Sequence, residues 1–123
     1  MALIAHVLAS LGNVRHGRHL DADRAAVLGL FHDASEIITG DMPTPVKYHD
    51  AAINEAYKAV EAGAEARLLA TLPEDLRGVY ETYFFAGDGH GGSEAAADGD
   101  EAYLRRLVKA ADKTSALIKC VDE

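Results

Sequence analysis

The sequence predicts an all-α fold. Ala and Leu dominate, and Val, Ile, Tyr and Phe are scattered rather than alternating. Apolar residues recur three and four apart in most segments, the period of one helix face. The chain has 123 residues, 49% of them hydrophobic and 26% charged, which is enough for a single buried core and too apolar for disorder. Twelve Lys and Arg stand against twenty Asp and Glu, a formal charge of −8. Such a surface repels phosphates at long range, so no nucleic acid polymer is expected as a partner. A small anion stays compatible if a bound cation neutralises it locally. The single cysteine, Cys120, excludes an intrachain disulfide and a cysteine zinc cluster. No apolar run reaches the length of a membrane span, so no membrane association is expected. The apolar start MALIAHVLASLG has no basic leader and no clear cleavage site, and reads as a helix of a cytoplasmic protein.

Residues 1–11 form the first predicted helix, with Gly12-Asn13 as its stop and a basic loop of Arg15, His16, Arg18 and His19 after it. Asp21 or Asp23 can cap the second helix, whose apolar positions are Val27, Leu28 and Phe31. His32, four residues after Leu28, projects from the same stripe at the last turn, and Asp33-Ala34-Ser35-Glu36 can start another turn. Gly40 and Asp41-Met42-Pro43-Thr44-Pro45 break the helix and make a stiff loop. Residues 50–70 read as a long amphipathic helix with Ile53, Ala56, Tyr57, Val60, Ala64 and Leu68 on one stripe. Pro73 opens a further helix carrying Leu76, Val79, Tyr80 and Tyr83 on one face. Residues 86–100 hold five glycines and no large apolar side chain, and are expected to form a flexible acidic loop. The last helix covers about 100–120, with Leu104, Val108, Ala111 and Ser115 inward and Asp112 four after Val108. Residues 1–123 are expected to form one domain.

Three metal-competent side chains thus fall on predicted inward faces: His32, Asp33 and Asp112. A carboxylate in a core stripe is costly unless it is paired or bound to a cation. Two carboxylates and an imidazole suit Co²⁺, Mn²⁺, Mg²⁺, Zn²⁺ or Fe²⁺ rather than a thiophilic metal. The residues alone favour Asp112 paired with Lys109, Lys113 or an Arg, and His32 as a satisfied core histidine. Glu36 alone reads as a first-turn carboxylate favoured by the helix dipole, and Asp41 as a turn residue before proline. His16 and His19 are spaced like a metal pair but sit among Gly and Arg, which favours a solvated loop. His6 reads as a core or interface residue, and Cys120 as small packing.

The string HDASEIITGDMPTPVK, residues 32–47, resembles the signature of the YfbR-like 5′-nucleotidases of the HD-domain metal-dependent phosphohydrolase superfamily. HD alone is a weak signal, whereas HDASE followed by TGD and PTPVK is long and specific. The resemblance returns at Leu107-Val108-Lys109-Ala110-Ala111-Asp112 and ends in Leu117-Ile118-Lys119-Cys120. It implies an all-α HD-domain helical bundle and a divalent metal held by His32, Asp33 and Asp112. It further implies Glu36 and Asp41 as catalytic carboxylates, and a substrate site of Asp33, Asp41, Met42, Pro43, Thr44 and Asp112. The implied reaction is hydrolysis of nucleoside 5′-monophosphates, 2′-deoxyribonucleotides preferred, by a homodimer. In the family a further His and a phosphate-orienting Arg lie upstream of the position matched by Met1, and further helices follow the last one here. The resemblance therefore implies a partial HD domain, incomplete at its N- and C-terminal ends, with impaired turnover. The alternative is a non-catalytic helical module that keeps the scaffold and self-associates. Triphosphates or cyclic dinucleotides, substrates of other HD enzymes, fit the GDMPTPVK loop poorly.

Overall fold

The computed structural model describes residues 1–40, 49–84 and 99–122. Every regular element among them is a helix, as the residue periodicity predicts: α1 (Ala2–His16), α2 (Ala22–Phe31), α3 (Glu36–Thr39), α4 (Ala51–Ala70), α5 (Glu74–Glu81) and α6 (Gly99–Asp122). None of the described helices is long and apolar enough to cross a membrane. The described residues fall into two compact units, one built from α1, α2 and α6, the other from α3, α4 and α5.

The first unit is held by small side chains. Ala5 and Ala9 of α1, Ala25 and Leu28 of α2, and Val108 and Ala111 of α6 are fully excluded from solvent, and Leu104 nearly so. Alanine lets helix axes approach closely, and α1 packs on both α2 and α6. Gly29 takes this to its limit: a Cβ there would stand 3.0 Å from the Cα of Ala2. The buried positions 104, 108 and 111 are the inward stripe the sequence predicts for the last helix. Ser115, the fourth expected member, is only half-buried.

Helix α1 runs past its expected stop at Gly12-Asn13 and ends at His16. Asn13 does not break the helix because its amide is occupied elsewhere. Its Nδ2 donates to the Leu20 carbonyl at 2.8 Å, and its Oδ1 accepts from the Leu20 amide at 2.7 Å. Gly17 supplies the actual stop, in the left-handed conformation at φ 64°. Arg18 N–H then closes onto the Gly12 carbonyl at 3.2 Å. Asp21 caps α2, its Oδ1 accepting from the Arg24 amide at 3.0 Å. Asp23 instead meets His6 Nε2 at 3.0 Å, so His6 is a partly exposed hydrogen-bonding side chain rather than a core histidine.

One ionic tie joins α2 to α6. Arg24 grips Glu101 with two hydrogen bonds, Nε to Oε2 at 2.8 Å and Nη2 to Oε1 at 2.7 Å. Arg105, one turn along α6, adds Nε to Oε1 at 3.2 Å. The hydrogen bond from Arg24 is the main reason the Glu101 carboxyl sits below its ordinary pKa; partial burial works against it, and the two arginine charges reinforce it. Of the glycine-rich stretch expected as a loop, 86–98 lie outside the described residues, while Gly99 and Asp100 form the first turn of α6.

In the second unit, Asp50 caps α4 by accepting from the Ala52 amide at 2.9 Å. Only part of the expected apolar stripe of α4 is covered. Tyr57 and Ala64 are buried, whereas Ile53 and Val60 are exposed. Arg77 of α5 reaches back to the end of α4, donating to the carbonyls of Leu72 at 3.0 Å and Ala70 at 3.2 Å. Leu76 and Val79 are exposed and Tyr80 and Tyr83 half-buried, so the face expected to be inward on α5 is open. The two tyrosines meet edge to face, ring centres 6.2 Å apart. Cys120 is exposed, not packed.

Glu101→Gln is expected to destabilise the fold by about 1 kcal/mol near neutral pH, since charge-assisted hydrogen bonds are lost from a partly exposed site. The depressed carboxyl contributes its stability above the ordinary glutamate pKa and loses it as pH falls through the folded value. Melting temperatures of the two proteins should therefore differ at pH 7 and converge in the acid range; a constant gap down to strong acid would exclude this ionic contribution.

Candidate metal centre

The turn that follows α2 carries the first two candidate ligands. Helix α2 ends at Phe31, and residues 32–35 form a turn leading into α3. Successive amides close it, Glu36 N–H onto the Asp33 carbonyl at 3.0 Å and Ile38 N–H onto that of Ser35 at 3.0 Å. Ser35 is buried beneath it. In a continuous helix, neighbours in sequence point about 100° apart and do not meet. Here they do: His32 Nε2 lies 2.8 Å from Asp33 Oδ2. The His32 side chain is 17% exposed and that of Asp33 53%, and the imidazole Nε2 itself is buried.

This pair suits a cation. Two ligands each at about 2.1 Å from one ion and at right angles to each other stand about 3 Å apart. The observed separation falls close to that.

Asp112 sits on α6, next in sequence to the buried Ala111. It is exposed rather than inward. The reason is angular: with Leu104, Val108 and Ala111 filling the inward face, position 112 falls about 100° round the helix from 111. The argument from the cost of burying a lone carboxylate therefore does not apply to it. The donor chemistry does apply: an imidazole nitrogen and carboxylate oxygens, the groups His32, Asp33 and Asp112 carry, are of the types that hold a divalent ion.

Glu36 opens α3, one turn after Asp33 and in the same unit as the His32–Asp33 pair. Its backbone carbonyl accepts from Gly40 N–H at 2.9 Å, which closes the short helix. Gly40 has φ 68° and ψ 170°, a combination essentially reserved for glycine. Asp41, Met42, Pro43 and Thr44 lie outside the described residues. His16 and His19 are exposed, in keeping with a solvated segment, although His16 is the last residue of α1 and not part of the loop.

Two features of this site escape a reading of single residues. The side-chain meeting of neighbours 32 and 33 depends on where α2 stops. The hydroxyl of Tyr57, read only as part of an apolar stripe, donates to the Gly40 carbonyl at 3.3 Å. The polar tip of a tyrosine was the signal available for it.

Proteins of similar sequence identify the family of the chain. The chain is 42% identical over all of its 123 residues to the 5′-deoxynucleotidase YfbR of Shigella flexneri, covering 56% of that protein. It is 40% identical over the same length to a 5′-deoxynucleotidase of Vibrio vulnificus (strain YJ016), covering 58% of it, and 41% identical to one of Vibrio cholerae, again covering 58%. The chain thus spans a little over half the length of these relatives. The model of the family described as 5′-deoxynucleotidase YfbR-like matches residues 1–123, so the chain belongs to the YfbR-like 5′-deoxynucleotidase family.

Proposed function

We propose that this protein hydrolyses nucleoside 5′-monophosphates, deoxyribonucleotides in particular, to nucleoside and phosphate with the help of a divalent metal ion. The observation that carries the reading is the 2.8 Å approach of His32 Nε2 to Asp33 Oδ2, with Glu36 one turn further on. Membership of a family whose named relatives are 5′-deoxynucleotidases supports it.

In this reading His32, Asp33 and Asp112 hold the ion. Bound there, it supplies positive charge to the phosphate oxygens that gather negative charge during the reaction. Glu36 takes a proton from the attacking water as the new oxygen–phosphorus bond forms. Asp41, protonated beforehand, gives its proton to the leaving 5′-oxygen as the old bond breaks. Both carboxyls reset by exchange with solvent. Met42, Pro43 and Thr44 line the substrate, the Thr44 hydroxyl donating to phosphate. The identity of the ion among Co²⁺, Mn²⁺, Mg²⁺ and Zn²⁺ is left open by a mixed nitrogen and oxygen donor set. The same reading makes the protein an HD-domain enzyme of the cytoplasm that works as a homodimer on a free nucleotide.

One observation favours a second reading. Leu3, Val7 and Val14 of α1, and Leu117, Ile118 and Val121 of α6, are exposed. Apolar surface of this kind marks association, so the chain would be a non-catalytic helical module that joins to its own copies.

Turnover of dAMP with Mn²⁺ or Co²⁺ is expected to fall at least about 100-fold on Asp33→Ala, the order lost when a phosphate-stabilising group is removed. Turnover unaffected by that substitution would remove the metal assignment. Mn²⁺ at about 100 times its dissociation constant should stabilise the folded chain by about 2.7 kcal/mol, read as a rise in melting temperature that a chelator reverses. His32→Ala and Asp112→Ala should each abolish the rise. The association reading instead predicts no response to metal in any of these proteins.

A further inference from the structure

Helix α3 is too short to hold itself. It has four residues, Glu36–Thr39, and none of them is buried. A single turn does not persist on its own bonds, because fixing it costs more chain entropy than one turn returns. Ile37 is 79% exposed and Ile38 40%, so apolar burial does not make up the difference. Yet this turn carries Glu36 and sets its distance along the chain from Asp33.

What braces the turn is a series of hydrogen bonds that ends outside it. Glu36 N–H donates to the Asp33 carbonyl at 3.0 Å, and Gly40 N–H donates to the Glu36 carbonyl at 2.9 Å. The Gly40 carbonyl accepts in turn from the Tyr57 hydroxyl at 3.3 Å. Tyr57 is buried on α4, the helix that α3 packs against. Thr39 Oγ1 also lies 3.0 Å from the Gly40 oxygen and 3.3 Å from the Ser35 carbonyl. Its one proton serves one of them at a time, and Thr39 moves with the turn it would brace. Tyr57 belongs to a helix of 20 residues, so its bond refers the turn to a longer element. Gly40 needs such a hold, since φ 68° and ψ 170° is a conformation that its surroundings must maintain.

We infer that Tyr57 is a positioning residue for Glu36: its hydroxyl, through the Gly40 peptide, keeps α3 wound and so keeps Glu36 one turn from Asp33. This rests on the reading of Glu36 as the base given above. Tyr57 acts through the backbone alone, two hydrogen bonds removed from the residue it positions.

The test is Tyr57→Phe, which keeps the ring and removes the hydroxyl. Amide exchange followed by NMR needs no turnover. The amides of residues 36–40 should exchange about tenfold faster in the variant, as for the loss of one hydrogen bond, with those of α5 unchanged. In dAMP hydrolysis with Mn²⁺, kcat should fall about tenfold while KM and Mn²⁺ affinity hold, the pattern of a misplaced catalytic group. In the Glu36→Gln background the same substitution should have no further effect on kcat. Unchanged exchange at 36–40 would overturn the inference, and so would a tenfold loss that persists in the Glu36→Gln background. Full turnover in Glu36→Gln alone would instead overturn the reading of Glu36 as base, a failure told apart by exchange at 36–40 that still responds to Tyr57→Phe.

Discussion

The centre depends on two neighbouring side chains meeting, which a helix forbids. His32 and Asp33 are adjacent in sequence, yet Nε2 and Oδ2 come within 2.8 Å. That is possible because α2 stops at Phe31 and the next four residues turn instead of continuing the spiral. If α2 continued, the imidazole and the carboxylate would diverge by about 100°. The stop is local, since the turn's own amides close it onto the carbonyls of Asp33 and Ser35, and a buried Ser35 lies under it. Glu36 then opens α3, so ligand pair and candidate base share one short segment.

Helix α6 meets a different constraint. Its inward face is decided by Leu104, Val108 and Ala111 against the alanines of α1 and α2, and its pairing with α2 is tied by Arg24 and Glu101. Packing of this kind tolerates little rotation, since a glycine at 29 already brings α2 to the Cα of Ala2. The orientation of the Asp112 side chain is therefore a consequence of apolar contacts made by its neighbours. An exposed carboxylate keeps its water until an ion binds, so its dehydration is a cost of binding rather than of folding.

Much of this was legible in the residues. The residue pattern located the five longer helices among those described, a further turn was read at Asp33-Ala34-Ser35-Glu36, and a cap at Asp21 or Asp23 and the 104–108–111 stripe were visible as types at spacings. The candidate metal donors were named from their chemistry and from the string that follows His32. What escaped has physical causes. Gly12-Asn13 looks like a stop, but an asparagine whose amide is engaged by a backbone eight positions from Gly12 does not end a helix. Ile53, Val60, Leu76 and Val79 have the right spacing for a core, yet spacing says which residues share a face and not what covers it. Asp112 was expected inward from its distance to Val108, whereas Ala111 holds that place. The hydroxyl bond from Tyr57 to Gly40 joins residues seventeen apart, so the polar tip of the tyrosine signalled a partner but not which one.

The most direct measurement is anomalous diffraction from crystals grown with Mn²⁺, with data collected on either side of the manganese absorption edge. The account predicts one strong peak per chain, within coordinating distance of the imidazole of His32 and the carboxylates of Asp33 and Asp112 together. A peak bound by the first two alone, with Asp112 turned to solvent or to a lysine, would contradict it.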